Sequence, residues 1–137
     1  MRVVSSVSWP IMVMPVEDHA LYKPRVLNAI DSMGKHSYND NIIQRISNTD
    51  WHLGDIARPY VEVMKPILNE AIKVLSDMFY PVLGSNIWFQ QYALNDYHGL
   101  HTHGDAFYNC VYYVELGSDT PRTSMVVNGR ELEVDVK

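Results

Sequence analysis

The stretch that decides the fold lies at residues 86–116 and reads NIWFQQYALNDYHGLHTHGDAFYNCVYYVEL. Two parts of it, residues 87–94 and 108–116, are rich in aromatic and β-branched side chains, a composition typical of strands. Between them lies a polar segment that holds three histidines. The stretch therefore predicts two strands on either side of a histidine-rich connection.

Shorter segments on both sides extend the predicted sheet. Residues 123–127 and 131–136 predict two more strands, joined at Asn128-Gly129, a dipeptide that favours a tight hairpin turn. Near the other end, residues 3–14 are rich in Val and Ile and predict one or two strands. We expect antiparallel pairing, because the strands follow one another without long crossovers.

The region before residue 85 has helical rather than strand periodicity. Apolar side chains repeat at steps of three and four over residues 19–33, after Asp18 as a possible cap and before Gly34 as a stop. The same spacing predicts a second amphipathic helix from about Asp55, which Pro66 should kink or split. Residues 35–54 are polar and irregular around a short apolar element at residues 42–46. The fold class predicted is α+β, with N-terminal helices packed on a sheet or barrel.

Composition excludes several classes of protein. The chain has 137 residues, 47% of them hydrophobic, and a formal net charge of -5, which fits one soluble domain over residues 1–137. The excess of acidic residues argues against a nucleic-acid partner. No apolar run is long enough for a membrane helix. The single cysteine, Cys110, excludes an intrachain disulfide and is expected to be buried; this suits a cytoplasmic location.

The chemistry of the chain centres on residues 97–105, YHGLHTHGD. On an extended strand His101, His103 and Asp105 share one face, because side chains two residues apart point the same way. A His-x-Asp pair and one distant His, together two imidazoles and one carboxylate, form the facial triad of non-haem Fe(II) oxygenases. The sequence leaves open whether His101 with His103 or His103 with Asp105 is the principal pair, and His98 lies near a turn.

Four motifs in fixed order resemble a known family. They are residues 49–51 (TDW), 86–92 (NIWFQQY), 98–103 (HGLHTH) and 111–116 (VYYVEL). Together they resemble the 2OG-Fe(II) oxygenases of marine bacteria and cyanophages, relatives of the prolyl 4-hydroxylases. The resemblance implies a double-stranded β-helix, or jelly roll, preceded by helices: residues 1–84 would form the helical part and residues 85–137 the first strands.

The resemblance also implies the roles of individual residues. His103 and Asp105 would be the catalytic metal ligands, with His101 as a further ligand, and Tyr92 and Tyr113 would line the cosubstrate pocket. The implied cofactors are Fe(II) and 2-oxoglutarate, and the implied reaction is hydroxylation of a small-molecule or peptidyl substrate.

The sequence departs from the family at its end. Family members supply a distal His and then an Arg or Lys that binds 2-oxoglutarate, whereas no His follows His103 before Lys137. We therefore expect a jelly roll that is incomplete at its C-terminus, weak turnover by this chain alone, and a possible homodimer.

Two other functions fit the same residues. The first is a non-catalytic jelly-roll module for binding or interaction, which the missing distal ligand favours. The second is a zinc site built from His98, His101 and His103, since zinc accepts imidazole ligands.

Overall fold

The computed structural model describes residues 2–3, 11–104, 106–117 and 123–134. The chain divides into two compact units, one formed by Ala20–Val114 and the other by Met1–His19 with Glu115–Lys137. The prediction of one domain for residues 1–137 stays a prediction. The described residues form two helices and nine short strands: β1 (Arg2–Val3), β2 (Met12–Val13), α1 (His19–Asp31), β3 (Tyr38–Asn39), β4 (Gln44–Ile46), β5 (Asn48–Thr49), α2 (Pro59–Met78), β6 (Gln90–Gln91), β7 (Tyr97–His98), β8 (Ser124–Val127) and β9 (Arg130–Glu133).

Helix α1 lies where its periodicity predicts it. Its buried residues are Val26 and Ile30, one helical turn apart on the face that meets the core. Gly34 follows with φ 78°, a backbone conformation in which glycine is the favoured residue after a helix. The hydrophobic pattern and the terminal glycine thus agree on the extent of this helix.

Helix α2 begins later than predicted. It starts at Pro59, not near Asp55, because the Arg58 guanidinium donates to the Gly54 carbonyl at 3.0 Å and so closes residues 54–58 into a loop. The helix continues through Pro66 without a break, and the predicted split is wrong. Buried side chains lie on both sides of Pro66, so packing maintains the helix despite the hydrogen bond that proline removes.

The core of the larger unit forms where the two helices meet the chain after residue 86. Its buried members are Val26, Ile30, Tyr60, Met64 and Phe89. The Tyr60 and Phe89 rings meet edge to face, with centroids 5.5 Å apart. Phe89 thereby anchors the segment that leads into the histidine-rich connection.

Asp50 joins this core to the strands. Its carboxylate is fully buried and accepts hydrogen bonds from Arg58 Nε at 2.7 Å, the Tyr60 hydroxyl at 2.7 Å and the Phe89 amide at 3.0 Å. Burial raises the pKa of Tyr60, and the hydrogen bond and negative charge of Asp50 raise it further, against the opposing charge of Arg58. The hydroxyl of neighbouring Thr49 donates to the Phe89 carbonyl at 2.7 Å, so both sides of the Phe89 backbone are held.

Small antiparallel sheets complete the larger unit. One has the order β3-β4-β7, and in it Gln44 pairs with His98. The other pairs β5 with β6, with Asn48 opposite Gln91. Strands β3, β4 and β5 come from the segment predicted to be irregular. The described residues combine two helices with several small antiparallel sheets and form no closed barrel, so the jelly roll stays a prediction.

The two longest predicted strands are wrong in extent. Only β6 forms within residues 87–94, and residues 108–116 form no strand. Tyr112 and Val114 pack on the core, whereas Val111 is exposed, so the aromatic and β-branched composition of this segment reflects side chains that pack on the core without forming a strand. Cys110, expected to be buried, is exposed.

The smaller unit holds two strand pairs. Strand β1 pairs with β2, and β8 pairs with β9 across a hairpin in which Val127 lies opposite Arg130. Asn128 and Gly129 have φ values of 52° and 74°, as a two-residue hairpin turn requires. The Asn-Gly hairpin prediction is confirmed, although residues 135 and 136 of its predicted second strand lie outside the described residues.

Candidate metal centre

The histidine-rich segment leaves the sheet at β7. His98 is the last residue of that strand, and the next amide, of Gly99, donates to the Ile43 carbonyl at 2.6 Å. A side chain on Gly99 has no room, because a Cβ there would lie 2.9 Å from the Ile43 carbonyl oxygen. Glycine at position 99 thus permits this close backbone contact, and His101 and His103 follow it directly along the chain.

Substituting Gly99→Ala is expected to lower the free energy of unfolding by roughly 1–3 kcal/mol, because the new methyl group forces two backbone segments apart. Chemical denaturation followed by circular dichroism measures the change. Gly84→Ala is the matched control: nothing lies within 4 Å of a Cβ at that position, and the expected change is within about 0.5 kcal/mol. Equal stability of the two variants would contradict the close contact at Gly99.

Two carboxylates hold the loops around this segment. Asp96 accepts the Ser47 amide at 2.8 Å and the Ala93 amide at 2.7 Å and lies 3.7 Å from Arg45 Nε. Burial alone would raise the pKa of Asp96, but the hydrogen bonds and the Arg45 charge outweigh it and lower that pKa. Asp40 accepts three consecutive backbone amides, of Ile42, Ile43 and Gln44, which lower its pKa to about 2. Both groups are therefore ionised at neutral pH.

The three imidazoles lie close together. The rings of His98 and His101 are stacked, with centroids 3.9 Å apart and planes 3° from parallel. The rings of His101 and His103 have centroids 4.9 Å apart and planes at 56°. The structure thus brings together the three histidines that the spacing singled out.

The tautomer of His101 follows from its hydrogen bond. Its Nδ1 lies 2.8 Å from the Gly99 carbonyl oxygen, which can only accept, so Nδ1 carries the proton. In the neutral form of the ring, the lone pair lies on Nε2. This is the arrangement of a metal-binding histidine, in which a backbone carbonyl fixes one nitrogen and leaves the other for the ion.

His98 has a different environment. Its Nδ1 lies 3.4 Å from the Gln90 side-chain amide and 3.5 Å from the Tyr92 hydroxyl, and that hydroxyl donates to Gln90 Oε1 at 2.7 Å. Burial lowers the pKa of His98, positive charge on His101 and His103 lowers it further, and Asp40 opposes the shift. His98 is therefore neutral at neutral pH.

Of the two tyrosines expected to line a cosubstrate pocket, Tyr92 lies near these histidines. Tyr92 is 44% exposed, but its hydroxyl lies against Gln90 and His98, and its burial there raises its pKa to about 12. The charges of Asp96 and of Tyr113 add to that shift, which places Tyr113 within electrostatic reach of Tyr92. Their role towards a cosubstrate stays a prediction.

Two neighbours of the histidines, Trp88 and Gln90, were not predicted from the sequence to belong to the site. The Trp88 ring stacks on His103, with centroids 6.3 Å apart and planes at 20°, and Gln90 contacts His98. The signal for both was the spacing of Trp88, Gln90 and Tyr92, which repeats every two residues through β6. Such a period places side chains on one face of an extended segment.

Asp105 lies outside the described residues, so its contribution as a ligand stays a prediction. Within the described part of the chain, no three His, Cys, Asp or Glu side chains are arranged to hold one metal ion. The parallel stacking of His98 on His101 explains this for the three histidines, since lone pairs in two parallel ring planes do not converge on one point.

Comparisons with protein families, with curated proteins and with solved structures found no match to this chain. The function of the site therefore has to follow from its own side chains.

Neither helix of the described residues is long and apolar enough to cross a membrane.

Proposed function

We propose that this chain binds Fe(II) through His101, His103 and Asp105 as part of a 2-oxoglutarate-dependent oxygenase. The observation that carries the proposal is the state of His101, whose Nδ1–H is held by the Gly99 carbonyl and whose ring centroid lies 4.9 Å from that of His103. The donor set fits the metal, because two imidazoles and one carboxylate are the ligands of non-haem Fe(II) oxygenases.

The surroundings of the two imidazoles support an open site. His101 and His103 are exposed, so an ion reaches them from solvent and retains coordination positions for other ligands. The Trp88 ring stacks on His103, Tyr92 lies beside His98, and we propose that Tyr92 and Tyr113 line the cosubstrate pocket. The chemistry supplied there is activation of O₂ coupled to oxidative decarboxylation of 2-oxoglutarate, which hydroxylates a C–H bond of a small-molecule or peptidyl substrate.

Anaerobic titration with Fe(II) and 2-oxoglutarate tests the proposal. We expect a weak visible charge-transfer band that appears only when both are present and is absent from the His103→Ala variant. His19→Gln removes an imidazole far along the sequence and should leave the band unchanged. A wild-type protein that gives no band at saturating Fe(II) and 2-oxoglutarate would contradict the proposed function.

Zinc is the second candidate metal, favoured by the close approach of the three imidazoles. A zinc site of His98, His101 and His103 would require the stacked rings to turn so that their nitrogens converge. Metal analysis distinguishes the two candidates, because a structural zinc site would retain stoichiometric zinc through dialysis.

A further inference from the structure

We propose that His98 is a positioning residue: it binds no metal, and its ring fixes the plane of the His101 imidazole. The inference rests on the proposed function in that His101 is taken as a ligand. It goes beyond that function by assigning different roles to neighbouring histidines and by giving Gln90 and Tyr92 a part in the site.

The rings of His98 and His101 lie face to face, with centroids 3.9 Å apart and an interplanar angle of 3°. A nitrogen lone pair lies in the plane of its ring, so two rings stacked in this way direct their lone pairs along parallel planes. One ion can accept His101 in this arrangement without accepting His98.

The hydrogen bonds around His98 determine its tautomer. The Tyr92 hydroxyl donates to Gln90 Oε1 at 2.7 Å, which leaves the Gln90 NH₂ group, 3.4 Å from His98 Nδ1. An NH₂ group only donates, so Nδ1 of His98 accepts and the ring proton lies on Nε2. Neither nitrogen of His98 then has a lone pair available for a metal.

Two contacts restrain the His101 ring. The Gly99 carbonyl holds the edge of its ring through Nδ1–H, and His98 covers its face. His98 is itself held in strand β7 and by Gln90. Supports of this kind orient a ligand before the ion arrives and thereby increase metal affinity.

A pair of substitutions at His98 separates positioning from ligation. Calorimetric titration with Co(II) is expected to give His98→Phe an affinity within about threefold of wild type, because a phenyl ring keeps the flat stacking surface without nitrogens. His98→Ala should bind about tenfold more weakly, the loss typical of a residue that supports a ligand. His101→Phe, the matched ligand variant, should lose at least about 100-fold. A loss in His98→Phe as large as in His101→Phe would overturn the inference.

Nuclear magnetic resonance of the imidazole nitrogens gives a readout that is independent of affinity. In the metal-free protein His98 is expected to be the Nε2–H tautomer and His101 the Nδ1–H tautomer. Zinc, which is diamagnetic, should shift the Nε2 resonance of His101 and leave both nitrogens of His98 near their free positions. An Nδ1–H tautomer for His98, or a shift of its nitrogens comparable to that of His101, would overturn the inference. Failure of the wild type to bind any metal would instead contradict the proposed function.

Discussion

Asp50→Asn is expected to lower the free energy of unfolding by roughly 3–5 kcal/mol, the cost of removing one partner of a buried ion pair. Asp50 is fully buried, and its Oδ2 accepts from both Arg58 Nε and the Tyr60 hydroxyl at 2.7 Å. The side-chain amide offers one acceptor where the carboxylate offers two. Either Phe89 or the Arg58–Tyr60 pair must therefore face an NH₂ group.

The matched control for Asp50→Asn is Glu62→Gln, which neutralises the carboxylate of an exposed ion pair. Glu62 and Lys65 are 2.6 Å apart but their side chains are 70% and 58% exposed. That substitution should change the stability by less than about 0.5 kcal/mol. Chemical denaturation followed by circular dichroism compares the two variants, and equal stabilities would contradict the importance of burial at Asp50.

A milder substitution keeps this prediction testable if Asp50→Asn does not fold. Tyr60→Phe removes only the hydroxyl that donates to Asp50 and keeps the ring against Phe89. The expected loss is roughly 1.5–3 kcal/mol, the net contribution of a hydrogen bond to a charged group. No measurable loss would show that Asp50 does not depend on the Tyr60 hydroxyl.

The helices and the hairpin are the parts of the fold that the sequence predicts well, because each is determined by neighbours along the chain. Val26 and Ile30 are four residues apart, and that spacing alone places them on one face of α1. The Asn128-Gly129 turn depends on the ability of two residues to adopt positive φ values. Neither feature requires knowledge of a distant partner.

The sheets are predicted poorly because strand pairing depends on distant residues. Strand β5 precedes its partner β6 by about forty residues, and polar side chains rather than apolar runs select the pairing. Asn48 donates to Gln91 at 2.7 Å, and Asp50 accepts the Phe89 amide. Residues 108–116 have stronger strand propensity than either strand, yet form none, because propensity indicates only a side chain suited to a half-buried surface.

The closeness of the histidines in the candidate site is predictable from the sequence, but their geometry is not. The spacing of His101 and His103 places them on one face, and their rings do lie 4.9 Å apart. The stacking of His98 on His101 depends on side-chain rotation and on a bend at Leu100, which spacing does not reveal. The tautomer of His101 depends on a carbonyl two residues earlier, so it follows only from the folded backbone.

His103→Ala is expected to weaken Co(II) binding by at least about 100-fold, since removal of a supporting residue alone costs 10- to 100-fold and His103 is proposed as a direct ligand. The measurement exploits Trp88, whose ring stacks on His103 with centroids 6.3 Å apart. Co(II) quenches indole fluorescence at short range, so binding at His103 should reduce the emission of Trp88. Of the other two tryptophans, Trp51 contacts the rings of Tyr38 and His52 and contributes a background, and Trp9 lies outside the described residues.

Trp88→Phe separates the reporter from the ligand. A phenyl ring can still stack on His103, so calorimetry should give this variant nearly wild-type affinity for Co(II) while most of the fluorescence change disappears. His103→Ala should show the opposite pattern, with the Trp88 emission present but unresponsive to Co(II) at concentrations that saturate the wild type. If His103→Ala binds Co(II) as tightly as wild type, the metal is not held at His103, and the proposed site on residues 101–105 is wrong. If Trp88→Phe keeps the full quenching signal, Co(II) binds near another tryptophan. That result would contradict a metal site at His103, because Trp88 is the tryptophan that stacks on His103.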